Sequence, residues 1–161
     1  MPAAARRYYL RGRAALDAGD HGVAIEALAA AVELSPRFVG ARLALAAALA
    51  KFGDCPRAAQ TLRAGLGRSP SETEEAALWA SLGDVLVRSG DFLGAEDAFV
   101  QAESHPGFAA RASAGRTRLH AKTGHYADAF ASLATAAGLA ESADASASLA
   151  TAASLAESAK G

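Results

Sequence analysis

Residues 79–102 read WASLGDVLVRSGDFLGAEDAFVQA. Trp79, Leu82, Gly83 and Leu86 supply large anchors and a close-contact glycine for one helix. Gly90 is a turn glycine, and Ala95, Phe99 and Ala102 are the small-then-large residues that interlock a second helix with the first. The plan recurs in register, because Gly19, Gly53, Gly90 and Gly124 open the same turn at spacings of 34, 37 and 34 residues. A period in that range marks a stacked array, in which no single unit can bury its apolar face alone.

These residues resemble the tetratricopeptide repeat, whose signature is W-x2-L-G-x2-Y followed by A-x3-F and a closing proline. The resemblance covers about residues 5–143. It implies an all-α right-handed superhelix, an α-solenoid of about four helix-turn-helix repeats over 5–38, 39–72, 76–109 and 110–143. An Ala- and Ser-rich segment at 144–161 would add a carboxyl-terminal capping helix or tail.

In the first repeat Tyr8 stands in the slot of Trp79 and Arg11 in that of Leu82. Asp20 is placed to accept from free amides at the start of the second helix, and Pro36 closes it. A terminal repeat with no helix in front of it tolerates the charge of Arg11. The second repeat places Arg42 in the aromatic slot, with Leu45, Ala46, Leu49, Ala58 and Leu62 following the plan. Cys55 matches His21, Phe92 and Tyr126 at the turn and reads as a half-buried packing residue. Pro56 after it suits a first helical position, where the missing donor has no partner in any case.

The insertion that stretches 34 to 37 is Ser71–Glu75. Ser71 and Glu74 have capping-box spacing, so the third first-helix should begin about one turn early, with acidic residues at its positive end. Trp79, Leu82, Leu86 and Phe99 should be largely buried, with Ala24, Ala58, Ala95 and Ala129 at close helix contacts. The fourth repeat has degenerate anchors in Ser113, Arg116 and Thr117. Beyond it, SLATAAGLAES at 132–142 returns as SLATAASLAES at 148–158. The end of the chain has helical composition, either as a separate cap or as a continuation of the last repeat helix.

Composition agrees with packed helices: 52% of the residues are apolar, chiefly Ala and Leu. With 16 Lys and Arg against 17 Asp and Glu, bulk attraction to nucleic acid or anionic lipid is not indicated. The amino terminus lacks the apolar run of a signal peptide, and no apolar stretch is long enough to span a bilayer. A soluble, cytoplasmic protein is expected. The lone Cys55 excludes an intramolecular disulfide.

No catalytic constellation emerges, so no enzyme, cofactor or metal is expected. His21, His105, His120 and His125 lack metal-binding spacing, and His120 aligns with Ala15, Leu49 and Leu86 as a core or near-core residue. The family resemblance instead implies a concave surface, lined by the first helix of each pair, that binds a partner peptide or helix. The groove residues carried over are Arg6, Tyr9 and Arg13; Leu43 and Lys51; Asp84 and Arg88; and Arg111, Arg118 and Lys122, with Asp17, Ala47, Ala80 and Ala114 among them.

Seven of these are basic and two acidic, while Glu26, Glu33, Glu96, Asp97, Glu103 and Asp128 belong to second helices expected to face outward. The bland reading of the basic strip is a solvated face; the sharper one is a groove for an acidic protein segment. A carboxylate clamp built on lysine and asparagine does not fit, since the chain has no asparagine. The alternatives are a scaffold that forms a homo-oligomer through its degenerate ends, or a small secretion-type chaperone.

Overall fold

The structure, a computed structural model, describes residues 2–125 and 128–129. Seven α-helices and no strand are found among them. They run α1 (Ala3–Ala18), α2 (His21–Leu34), α3 (Val39–Lys51), α4 (Cys55–Arg63), α5 (Glu72–Ser89), α6 (Phe92–Glu103) and α7 (Ala109–Thr123). Of the helix expected after Gly124, only the helical residues Asp128 and Ala129 are described, and the segment 144–161 lies outside the described residues.

The repeated glycines do what their register demands. Gly19, Gly53, Gly90 and Gly124 adopt φ of 77, 88, 85 and 80°, left-handed values that an L side chain resists. In three of the four turns an aspartate follows and caps the next helix, its carboxylate accepting from the amide three residues on. Asp20 accepts from Val23, Asp54 from Arg57 and Asp91 from Gly94. A one-glycine, one-aspartate turn therefore ends one helix and starts its partner. Asp54 caps α4 one residue sooner than the proline rule suggests, so that Cys55 opens the helix and Pro56 is its second residue.

The insertion lengthens α5 at its front, as the sequence implies. Ser71 caps it by accepting from the Glu74 amide, and Glu72, Glu74 and Glu75 occupy the first turn. The reciprocal half of the capping box is different: the Glu74 carboxylate receives the Ser71 hydroxyl rather than a backbone amide. Glu75 folds the insertion back, accepting from the Gly67 amide and the Ser69 hydroxyl. That ties the loop to the helix it precedes.

Each helix packs on its neighbours in sequence. In addition α1 touches α3, α3 touches α5 and α5 touches α7, whereas among the described residues the second helices α2, α4 and α6 do not touch one another. First helices thus form a continuous inner layer and second helices an outer one, the layout of a curved solenoid.

At the centre of each pair one large residue of the second helix enters the first. Leu28, Leu62 and Phe99 hold this position and are 1% exposed or less. Its counterpart must be small: a Cβ on Gly12 would lie 2.6 Å from Leu28 Cγ, and one on Gly83 would lie 2.5 Å from Phe99 Cε1. Phe99 reaches further still. A Cβ on Gly115, in α7, would fall 2.4 Å from the same ring carbon, so one aromatic edge occupies the gap that two glycines on different helices leave. Ala24, Ala58, Ala95 and Ala129 are all buried, as close helix contacts require.

Trp79 departs from the sequence expectation. It is only partly buried, and with Glu72, Glu75, Ala76, Gln101, Ser104, His105 and Pro106 it lines an open cavity of about 410 Å³. Helix α6 ends at Glu103, and Ser104, His105 and Pro106 of the break after it line the cavity beside the indole. Arg42, in the equivalent slot of α3, is 5% exposed and reaches two carbonyls, those of Thr61 and Pro36, each at 2.9 Å. Its Nε is buried without an acceptor, and burial together with the nearby charge of Arg68 lowers its pKa from the ordinary arginine value. Among the described residues no helix is long and apolar enough to cross a membrane.

The glycine gap yields a direct test. Gly115→Ala should destabilise the fold by about 1–3 kcal/mol through overpacking, more than the helix propensity gained from alanine. Adding Phe99→Leu, which removes the Cε1 edge, should make the pair less destabilised than the sum of the two changes. Urea denaturation of the four species measures this. Additive losses would show that Gly115 and Phe99 do not share the space.

Candidate protein-binding groove

The inner layer is built from α1, α3, α5 and α7, and the residues expected on it are distributed over all four. Equivalent positions fall in rows across the helices, because the repeat spacing returns each residue type to the same face. One row runs Asp17, Lys51, Arg88 and Lys122; the next runs Arg13, Ala47, Asp84 and Arg118. Arg6, Arg13, Lys51, Arg88, Arg111, Arg118 and Lys122 are all exposed or partly so, and Tyr9, Leu43 and Asp84 are half-buried. Ala80, expected on this wall, is instead fully buried between helices.

Tertiary packing divides the basic strip into paired and unpaired parts. On α5, Asp84 accepts from two arginines of α7, Arg118 at 2.7 Å and Arg111 at 3.3 Å. Arg111 also approaches the Ser81 hydroxyl at 3.4 Å. This one carboxylate therefore clasps the neighbouring first helix at two points, and neither guanidinium is an unopposed charge. All three side chains are exposed by a third or more, so the contacts fix geometry more than they add stability.

Among the described residues the other basic groups have no carboxylate partner. Lys122 donates to the Val87 carbonyl at 3.5 Å and lies 5.9 Å from the Phe92 ring centre. Arg13 donates to the Tyr9 hydroxyl at 3.1 Å, and the Tyr9 ring meets Phe38 edge-on at 4.9 Å. Arg6, Lys51 and Arg88 make no side-chain hydrogen bond or ion pair among the described residues. Lys51, Arg88 and Lys122 each stand in the last turn of their helix, where a cation complements the negative end of the macrodipole.

A second polar assembly was not legible in the sequence as such. Arg116 on α7 reaches Glu96 of α6 through Nε at 2.7 Å and Nη2 at 2.6 Å, and Glu103 through Nη1 at 2.9 Å. Ser113 donates to the other Glu103 oxygen at 2.7 Å, and His120 Nε2 lies 3.1 Å from Glu96 Oε2. Glu96 and Glu103, expected to face outward, thus turn toward α7.

The physical reason is that the degenerate slots of the fourth repeat hold polar side chains whose needs must be met at the interface. Burial lowers the Arg116 pKa, but the hydrogen bonds and charges of Glu96 and Glu103 outweigh it and raise the value above that of an ordinary arginine. The signal was present in the pairing of unusual residues: Arg116 replaces Leu82 just where Glu96 and Glu103 replace Ala59 and Leu66.

The repeat geometry is matched by comparison with known proteins. The family model described as tetratricopeptide repeat matches residues 9–73 and 80–146, and the chain belongs to the tetratricopeptide repeat family. The tetratricopeptide fold is a protein–protein interaction scaffold, and its proteins are generally non-enzymatic. Among solved structures, the chain is similar to a crystal structure of MamA protein at a TM-score of 0.72. The two are 20% identical, over 99% of this chain and 88% of that one. It is also similar to TTC0263, a thermophilic TPR protein of Thermus thermophilus, at a TM-score of 0.72 and 22% identity, over 94% of this chain and 82% of that one. Such identities speak to fold alone. No curated protein matches the chain in sequence.

The α6–α7 network should behave as a unit. Arg116→Ala strips the shared guanidinium from two part-buried carboxylates, leaving Glu103 with Ser113 and Glu96 with His120, and should cost about 1–3 kcal/mol. The triple change Arg116→Leu, Glu96→Ala and Glu103→Leu, which installs the residues at the equivalent positions Leu82, Ala59 and Leu66, should recover most of that loss. Chemical denaturation compares the variants. A triple variant no more stable than the single one would show that the network is not replaceable by packing.

Proposed function

We propose that the chain is a non-enzymatic scaffold whose inner face holds a partner protein segment of acidic or carboxylate character. The observation that carries this reading is the row Lys51, Arg88 and Lys122. These side chains occupy equivalent positions on three successive, touching helices, are solvent-accessible, and have no carboxylate partner among the described residues. A helix end favours a cation at each place, but does not require that these charges stay unopposed. Arg111 and Arg118, on the same face, are opposed by Asp84.

Arg6 and Arg13 extend the basic surface along α1, and Tyr9 and Leu43 add apolar contact. Arg118, Arg111 and Asp84 act in this reading as a clasp between α5 and α7 that sets the spacing of the row. The binding unit is the four-repeat array of residues 5–143, with 144–161 appended to it. Each exposed charge contact contributes about 0.2–1 kcal/mol, so affinity depends on how many are engaged and falls with salt.

Peptides selected from a randomised library on the immobilised protein should be enriched in Asp and Glu. Lys51→Glu with Arg88→Glu should weaken their binding about tenfold or more at low salt while leaving the helical circular dichroism unchanged. Enrichment of neutral or basic peptides, or equal retention by the double variant, would overturn the reading.

A further inference from the structure

One face of α1 stands uncovered among the described residues. Arg7, Tyr8 and Arg11 are exposed, Tyr8 by 40%, and Ala14 lies beside them. Their repeat equivalents are Ala41, Arg42, Leu45 and Ala48 in α3, Leu78, Trp79, Leu82 and Val85 in α5, and Ala112, Ser113, Arg116 and Leu119 in α7. Apart from Trp79 and Arg116, which are partly covered, every one of those equivalents is buried. In the counterparts this face meets the preceding helix, since α3 packs on α2, α5 on α4 and α7 on α6, whereas among the described residues no helix packs on this face of α1.

The molecule itself shows which kind of helix suits an arginine in this register. Arg11 is the positional equivalent of Arg116, and Arg116 is held by Glu96 and Glu103 of the preceding helix, carboxylates seven residues and so about two turns apart. Arg7 and Arg11 have no side-chain hydrogen bond or ion pair among the described residues. We propose that the outer face of α1 docks an amphipathic helix bearing carboxylates two turns apart, in the way that α7 docks α6. Arg11 takes the carboxylates, Arg7 adds a second cation on the same face, and Tyr8 supplies apolar contact beside small Ala14. A planar guanidinium suits this role because it binds two carboxylates in fixed directions. The surface is distinct from the inner face, since it faces away from α2 and α3 along the array.

The probe is a labelled peptide of residues 91–104, stapled through positions 97 and 101, which are exposed on α6, so that a short helix stays folded in water. Fluorescence anisotropy against the full chain should give saturable binding. Arg7→Glu with Arg11→Glu in the protein should weaken it at least tenfold, and so should Glu96→Gln with Glu103→Gln in the peptide. Arg63→Glu with Arg68→Glu, exposed cations outside both surfaces, should leave it unchanged. No saturable binding, or binding indifferent to the α1 or the peptide substitutions, overturns the proposal. Loss of binding in the inner-face variant Lys51→Glu with Arg88→Glu alone places the peptide in the groove and overturns it equally.

Discussion

The edge of the Phe99 ring, lodged in the gap left by Gly83 and Gly115, is the contact on which the array depends. It locks α6 against its own partner α5 and against α7 of the next pair with a single side chain. Close-packed interiors do not deform smoothly, so a ring in that position sets how near the two first helices can lie. Leu28 against Gly12 repeats the device within the first pair, with a smaller side chain and one glycine. The inner face inherits its spacing from these contacts, because rows of equivalent residues line up only when first helices touch.

Polar contacts then take over where apolar anchors run out. In α3 the slot of Trp79 is filled by Arg42, whose guanidinium finds two backbone carbonyls instead of a hydrophobic wall. In α7 the slots of Trp79 and Leu82 hold Ser113 and Arg116, and α6 answers with Glu103 and Glu96. A buried polar group is costly only when unpaired, so repeat geometry survives these substitutions provided that donor and acceptor change together. The same logic applies to the outer side of α1, where an arginine in the register of Arg116 has no such answer among the described residues.

Electrostatics on the inner face follow from packing rather than from composition. Asp84 opposes Arg111 and Arg118, and leaves Lys51, Arg88 and Lys122 as a row with no opposing carboxylate among the described residues. A near-neutral chain thereby presents cations along one edge of a surface and a neutralised clasp beside it. The two arginines that pair across α5 and α7 are thus distinct from the cations that have no carboxylate partner among the described residues.

The sequence by itself determined the repeat. Turn glycines at 34, 37 and 34 residues, alanines at close contacts and one large residue per second helix leave a single way to bury each apolar face, because left-handed φ and small volume are properties of a residue type read directly from its identity. The early start of α5 was legible for the same reason, in Ser71 and the acidic turn after it. Only the tertiary structure decided which charges are opposed and which are not. Asp84 and Arg118 are 34 residues apart, and Arg116 is 20 from Glu96, so no local rule joins them. The half-covered state of Trp79 and the shared use of Phe99 by two glycines were likewise hidden. Both depend on where neighbouring chain segments pass, and that is a consequence of stacking rather than of spacing.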